Sequence, residues 1–424
     1  MPKAAKQAGA EMEEGPLVGC LSEDILIQIL LRLPAKSVVR AGAVCKAWRE
    51  ITTKESFVAD HVRRRPAEVV LYTYMVADGS RDDSSRRGVN GTKMALDLIP
   101  ISSHDDLDDE VVRRRRLIRY PKWGAFILLA SCNGVLLFQK SRGCFLLCNP
   151  TTRRWAELPR IGEGYREYAF YFHEPSGEYR LLCRYRLWFV LSTGAAEPRE
   201  VPMDARQRQQ ASMTMADIKI LLTATPVALD GRMHWGPRQA AGEASEVAVF
   251  DTLAETFSVM AGPPTATADQ TKLFSMEGKL AAADFGKAET ETYIDLWFLD
   301  GHNDASTGGV GWERRHRVPT PWLPGADSWT LPAARYLDMV SLAAAADDGR
   351  EGNIMLGNHR GLVVYSSRTK KTARTVDINS VAGSGNNTIV VSRHVFRESL
   401  AMVRHPSFAA RSAADLGLPP IFWS

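Results

Sequence analysis

Hydrophobic and polar positions divide the chain into two unlike parts. Over Leu21–Val62 the pattern is helical. Ser22 precedes the acidic pair Glu23 and Asp24, a sequence that caps a helix and complements its dipole. Leu21 before the cap and Leu26 in the next turn have the spacing of a hydrophobic staple. The first helix is expected to end near Leu31 or Arg32, because the residue before Pro34 avoids the helical region. Pro34 can open a short second helix ending near Gly42. In a third helix, Val44, Ala47, Trp48 and Ile51 fall at i, i+3, i+4 and i+7. Between Asp24 and Arg32 only Asp24, Gln28 and Arg32 are polar, a single narrow line, so this helix must be buried on nearly every side. Three short helices bury little surface by themselves. Either the rest of the chain or a second protein has to cover the excess.

From about Pro66 onward the pattern changes. Short apolar runs alternate with Gly, Pro, Asn and Asp turns, as in an all-β sandwich, barrel or propeller. A loose repeat is visible. Asn133-Gly134 opens one unit that continues through Phe145–Asn149 to Trp155, and Asp230-Gly231 opens another that continues through Val247–Asp251 to Phe257. Glu277-Gly278 leads to Ile294–Asp300 and Trp312, and Arg360-Gly361 leads to Thr372–Ile378. Tyr168–Val201 is a further unit, with a turn at Glu174–Gly177. One such unit cannot bury both faces alone, so units must stack, and radial stacking leaves only short edges. The spacing suits about five or six blades. Asp78–Arg119, dense in charge, and Asp204–Asp217, polar and Gln-rich, are expected to be surface loops. Arg113–Arg116 is expected to be a solvated run within the first of these rather than a nuclear signal.

Composition adds limits. The chain has 424 residues and a formal charge of +4, from 53 Lys+Arg against 49 Asp+Glu, too even a balance for a dedicated nucleic-acid binder. No apolar stretch approaches the roughly 20 residues needed to span a bilayer. The first sixteen residues lack the apolar core of a secretory signal. The cysteines are therefore expected to be reduced, and the sequons at Asn90 and Asn386 to carry no glycan. Cys132, Cys144, Cys148 and His173 lack the spacing of a zinc site, so buried, apolar cysteines are expected there and no metal or cofactor. No nucleophile elbow, phosphate loop, metalloprotease motif or dinucleotide fingerprint occurs.

The helical segment resembles a plant-type F-box. The matching residues are Leu21, Asp24, Ile25, Leu26, Ile29, Leu30, Arg32, Leu33, Pro34, Lys36, Ser37, Val44, Cys45, Lys46 and Trp48, with Ser22 where the family usually has proline. The β region resembles the F-box-associated, distantly kelch-like propeller, most clearly at Ser131–Leu136 and Asn149–Trp155. The resemblance implies a mainly β chain with a small N-terminal α module. Its parts are a disordered segment over 1–16, an F-box over 17–62, a propeller over 66–410 and a tail over 411–424. Strand Glu68–Tyr74 would close the ring with a C-terminal strand such as Glu398–Val403. It further implies a non-catalytic substrate receptor of a ubiquitin ligase, in the cytoplasm or nucleus, that binds a Skp-type adaptor and through it a cullin. The adaptor-facing set carried over is Leu21, Leu30, Leu33, Pro34, Val44, Cys45 and Trp48. No residue is assigned to the protein target. A propeller that binds a glycan or small ligand, and a hydrolase capped by F-box-like helices, are the alternatives.

Overall fold

A computed structural model describes residues 22–75, 93–101, 114–120, 127–215, 224–239, 245–264, 270–285, 293–300, 311–319, 342–346, 352–357, 361–378, 387–401 and 422–423. Helices α1 (Glu23–Arg32), α2 (Ala35–Ala41), α3 (Lys46–Thr53) and α4 (Glu55–Arg63) form an N-terminal module. The remaining strands fall into six sheets among the described residues, the blades of a propeller.

The first blade comprises Ile127–Cys132, Val135–Ser141, Cys144–Asn149 and Arg154–Glu157. The second comprises Arg166–His173, Glu178–Arg184, Trp188–Ser192 and Arg199–Glu200. The third has Val227–Leu229, Ser245–Asp251 and Thr256–Ala261, with its second strand broken into Arg232–His234 and Arg238–Gln239, both paired with Ser245–Asp251. The fourth comprises Thr271–Met276, Lys279–Asp284, Tyr293–Asp300 and Gly311–Pro319. The fifth comprises Leu342–Ala346, Asn353–Gly357, Gly361–Ser366 and Lys371–Asp377. The sixth joins both ends of the domain: Asn387–Phe396 pairs with Glu68–Met75, followed outward by Lys93–Pro100, Arg115–Tyr120 and Phe422–Trp423.

Many strands are buried over consecutive residues rather than at every second one. Gly361–Ser366 is buried throughout, as is Val135–Phe138. Each blade is covered on both faces by its neighbours, so both sides of the pleat must be apolar. The side chains meet in the seams: Phe138, Trp155 and Phe396 between the sixth and first blades, Leu137, Phe170 and Leu181 between the first and second. Phe250, Trp188 and Trp235 fill the seam between the second and third.

The polar-Gly pairs that open the sequence repeats are two-residue hairpin turns. Asn133-Gly134, Asp230-Gly231 and Glu277-Gly278 all have positive φ at both positions, as the twist of a tight hairpin demands. Arg360 lies outside the described residues. Antiparallel pairing then fixes which loops share a face. Turns between first and second strands, and between third and fourth, lie on one face. Turns between second and third strands, and connections to the next blade, lie on the other. The helical module enters at Glu68, the start of a second strand, so it sits on the first of these faces, called here the near face.

Several expectations need correction. A fourth helix, α4, follows the three expected ones, anchored by Phe57 and His61 one turn apart. Val44 lies before α3, whose N-cap is Cys45, so the Val44-to-Ile51 stripe is not one helical face. The charged segment Asp78–Arg119 is not a simple loop: Lys93–Pro100 and most of Arg115–Tyr120 lie within it as strands. Arg115 and Arg116 meet buried acids there. Arg116 Nε lies 3.0 Å from Asp97 Oδ1, and Arg115 Nη2 lies 2.5 Å from Glu68 Oε2. These acids are inside the protein, which sequence charge density does not reveal. Asp204–Asp217 contains a helix, α5 (Ala205–Thr214), started by a capping box between Asp204 and Gln207. The ring closes through Asn387–Phe396 and not through Glu398–Val403. The tail contributes Phe422–Trp423 to the outer edge of the sixth blade. Residues 1–16 lie outside the described residues.

Candidate adaptor-docking surface

The helical module has a small core of its own. Leu26, Leu30 and Leu31 from α1, Ala35, Val38 and Ala41 from α2, Ile51 from α3 and Phe57 from α4 are buried together. Ser22 caps α1 by accepting from Ile25 N–H at 3.4 Å, as its position predicts. Lys54 Nζ lies 2.6 Å from Glu23 Oε1, a surface ion pair of small energetic weight. His61 is buried with Nε2 3.0 Å from the Leu33 carbonyl oxygen, and burial lowers its pKa against the opposing pull of that carbonyl.

One member of this core comes from elsewhere. Leu400, downstream of the inner strand of the sixth blade, completes the cluster. It belongs to a short strap, residues 397–401, that ties the helices to the propeller. Ala35 N–H, at the start of α2, donates to Glu398 Oε2 at 3.3 Å, and Arg115 Nη1 lies 3.3 Å from Glu398 Oε1. Arg397 donates to the Arg65 carbonyl at 3.2 Å, and Arg65 donates to the Leu31 carbonyl at 2.9 Å. On the propeller side Asn149 is fully buried. Its Nδ2 donates to the Ser399 carbonyl at 3.0 Å and the Ala401 carbonyl at 2.8 Å, while its Oδ1 accepts from Thr151 and Thr152 N–H. A Cβ on Gly134 would come within 2.3 Å of Ser399 Cβ, so the first-blade turn accepts only glycine beneath the strap.

The outer surface of the module remains apolar. Nine large hydrophobic side chains are exposed among the described residues, and four are here: Ile25 (51%), Ile29 (43%), Val39 (42%) and Val44 (66%). Ile25 and Ile29 are one turn apart on α1, and the half-buried Leu33 follows at the same spacing. Pro34 and Cys45 are exposed, and Trp48 is half-buried. The adaptor-facing set expected from sequence is thus divided. Leu33, Pro34, Val44, Cys45 and Trp48 reach the surface. Leu30 does not: it is wholly buried in the core of the module. Leu21 lies outside the described residues. Ile25, Ile29 and Val39, which are exposed beside them, were not in that set, although Ile25 and Ile29 belong to the all-round apolar helix that pointed to a covering surface.

Cys148 and Cys183 are buried among apolar side chains. Burial pushes the thiols of Cys148 and Cys183 well above the usual range, and among the described residues no three His, Cys, Asp or Glu side chains converge as metal ligands. No helix among the described residues is long and apolar enough to cross a membrane.

Comparison with known protein families agrees with this architecture. Residues 92–309, more than half of the chain, match the F-box associated beta propeller domain family, and residues 23–64 match the F-box-like family. A putative F-box protein of Arabidopsis thaliana is 23% identical over 383 residues, spanning 87% of this chain and 90% of the relative. A second F-box protein of that plant is 24% identical over 334 residues, spanning 72% and 73%. Among solved structures, a chain of a nidogen/laminin complex aligns at a TM-score of 0.40 with 8% identity, over 78% of this chain and 99% of that one. With an F-box-like helical module seated on a six-bladed ring, and with most of that ring matched in sequence, the chain is an F-box protein of the F-box-associated β-propeller family.

Proposed function

We propose that this protein is the substrate-recognition subunit of a Skp-cullin-F-box ubiquitin ligase. The helical module docks a Skp-type adaptor, and the propeller holds a protein target. The observation that carries this reading is the apolar surface of the module. Ile25, Ile29, Val39 and Val44 stay exposed although the propeller packs against the same helices through Leu400. The chain supplies its own cover for the inner side of the module and none for these four residues among the described ones. Exposed apolar groups concentrated in so small a module mark a protein interface. Leu33, Pro34, Cys45 and Trp48 adjoin them in sequence and complete the proposed docking set.

In this reading no residue of the chain performs chemistry. Binding the adaptor and the target at once makes transfer of ubiquitin to a target lysine effectively intramolecular, and the gain is one of local concentration. Such a receptor works in the cytoplasm or nucleus, where cullin ligases assemble. The test is adaptor capture. Full-length protein should retain a purified Skp-type adaptor, and with it cullin. The variant Ile29→Asp/Val44→Asp changes two exposed positions, so it should melt like the parent and lose capture at least about a hundredfold. Undiminished capture by that variant would refute the docking surface.

A further inference from the structure

The propeller face opposite the helices, the far face, carries a pocket of about 110 Å³ on the second blade. It lies between the Arg184–Trp188 turn, the outermost strand Arg199–Glu200 and α5. Turns between second and third strands, and connections to the next blade, meet on this face. The pocket therefore opens away from the proposed adaptor site.

Its charge is unbalanced. Arg184, Arg186 and Arg208 line it with a single carboxylate, Glu200. None of the three arginines forms an ion pair with a described residue. Arg184 is nevertheless held in place: Nη2 donates to Ser212 Oγ at 3.2 Å, and the guanidinium lies 5.4 Å from the centre of the Trp188 ring. Trp188 is itself fixed against Tyr168 and Phe257, at 5.0 and 4.6 Å between ring centres. Arg184 also sits directly opposite Arg166 on the neighbouring strand. Like charges facing each other across a sheet destabilise it. The fold thus keeps an oriented guanidinium on a residue that faces another arginine across the sheet, and no carboxylate among the described residues pairs with it. Leu187, Trp188, Val201 and Met203 supply the pocket's apolar lining.

We infer that this pocket receives an anionic side chain, carboxylate or phosphate, from an extended segment of a protein target, with an apolar neighbour of that side chain against Leu187 and Met203. The inference rests on the receptor reading and names the target chemistry within it. A nucleic acid is the poorer fit, because it needs cations spread along a backbone and these converge on one small cavity. An oriented guanidinium suits a forked acceptor, since charge-assisted hydrogen bonds to carboxylate or phosphate are the stronger kind.

The experiment uses the full chain and three fluorescein-labelled Gly/Ser peptides with central Glu-Phe-Glu, phosphoserine-Phe-phosphoserine or Gln-Phe-Gln, plus a labelled thymidine dodecamer. One or both anionic peptides should bind at least about tenfold more tightly than the neutral one, and the tighter of the two names the acid. Arg184→Gln/Arg208→Gln should lose that preference. Arg232→Gln, which removes one charge from a near-face turn, should keep it. Arg184→Gln alone should lose affinity without melting earlier than the parent, because it also relieves the Arg166 repulsion; a merely structural arginine would melt earlier. Equal binding of all three peptides, tighter binding of the dodecamer than of either anionic peptide, or undiminished preference in the double variant would overturn the inference. Adaptor capture is measured on the same preparations. If capture holds and the peptides fail, the pocket assignment falls alone; if wild-type capture fails, the receptor reading falls.

Discussion

The helical module and the propeller solve the same problem in opposite ways. The propeller packs most of its large apolar side chains in the seams between blades, where each sheet covers the next. The helical module, about a tenth the length of the chain, is too small to do this. It takes one core residue, Leu400, from the propeller and still leaves four large apolar side chains in water. The lesson is that self-sufficiency and interface are separable within one chain. The repeat domain covers its blades with one another, and the module, which takes a core residue from outside, is the part for which a covering protein is proposed.

That contrast can be broken. Leu400→Ala removes the borrowed residue and should cost the helices about 2–5 kcal/mol, the usual loss on truncating a buried leucine. Hydrogen exchange should show faster opening of residues 23–63 while the blades keep their protection. Uniform loss of protection across both regions would mean that they unfold as one unit. A smaller effect, about 1–3 kcal/mol, is expected from Asn149→Ala, which leaves two strap carbonyls and two turn N–H groups without their partner. Its signature is loosening of the helical module from a substitution made in the first blade.

The smallest effect is one of pH. Burial lowers the pKa of His61 in the module and of His234 and His394 in the propeller. A lowered folded-state pKa lends stability that is complete above the unfolded value of about 6.5 and is lost as the pH falls through the folded values. Burial raises Glu68 and Glu167, so protonation of these two favours the folded state over part of the same range and offsets the loss. The melting temperature should therefore fall modestly from pH 7 to pH 5. His61→Gln should reduce the pH dependence of the module and leave that of the propeller unchanged, as read by protection of the two regions at both pH values.

The sequence showed the module and its capping residues because helix signals are local: Ser22, Pro34 and the apolar spacing all act within a few residues. It showed the hairpin turns for the same reason, since Asn133-Gly134 and its equivalents need positive φ wherever they occur. It did not show Lys93–Pro100 or Arg115–Tyr120 as strands. Asp97, Arg115 and Arg116 look solvated in sequence, and only the tertiary fold pairs them across strands. It did not show that Leu30 belongs to a core completed by Leu400, a residue hundreds of positions away. Nor did it show the arginine pocket. Arg184, Arg186 and Arg208 are unremarkable in their own segments and converge only once the second blade and α5 are in place.

Closure of the sixth blade also sets an order on synthesis. Glu68–Met75 emerges early from the ribosome, yet its inner partner, Asn387–Phe396, is made more than three hundred residues later. Leu400 follows that partner. Throughout elongation the helices therefore lack their final packing residue, and the nascent chain cannot complete the core of the module. If the proposed receptor role holds, a truncated translation product would carry a module without its last core residue, and adaptor binding would mature only after the ring has shut.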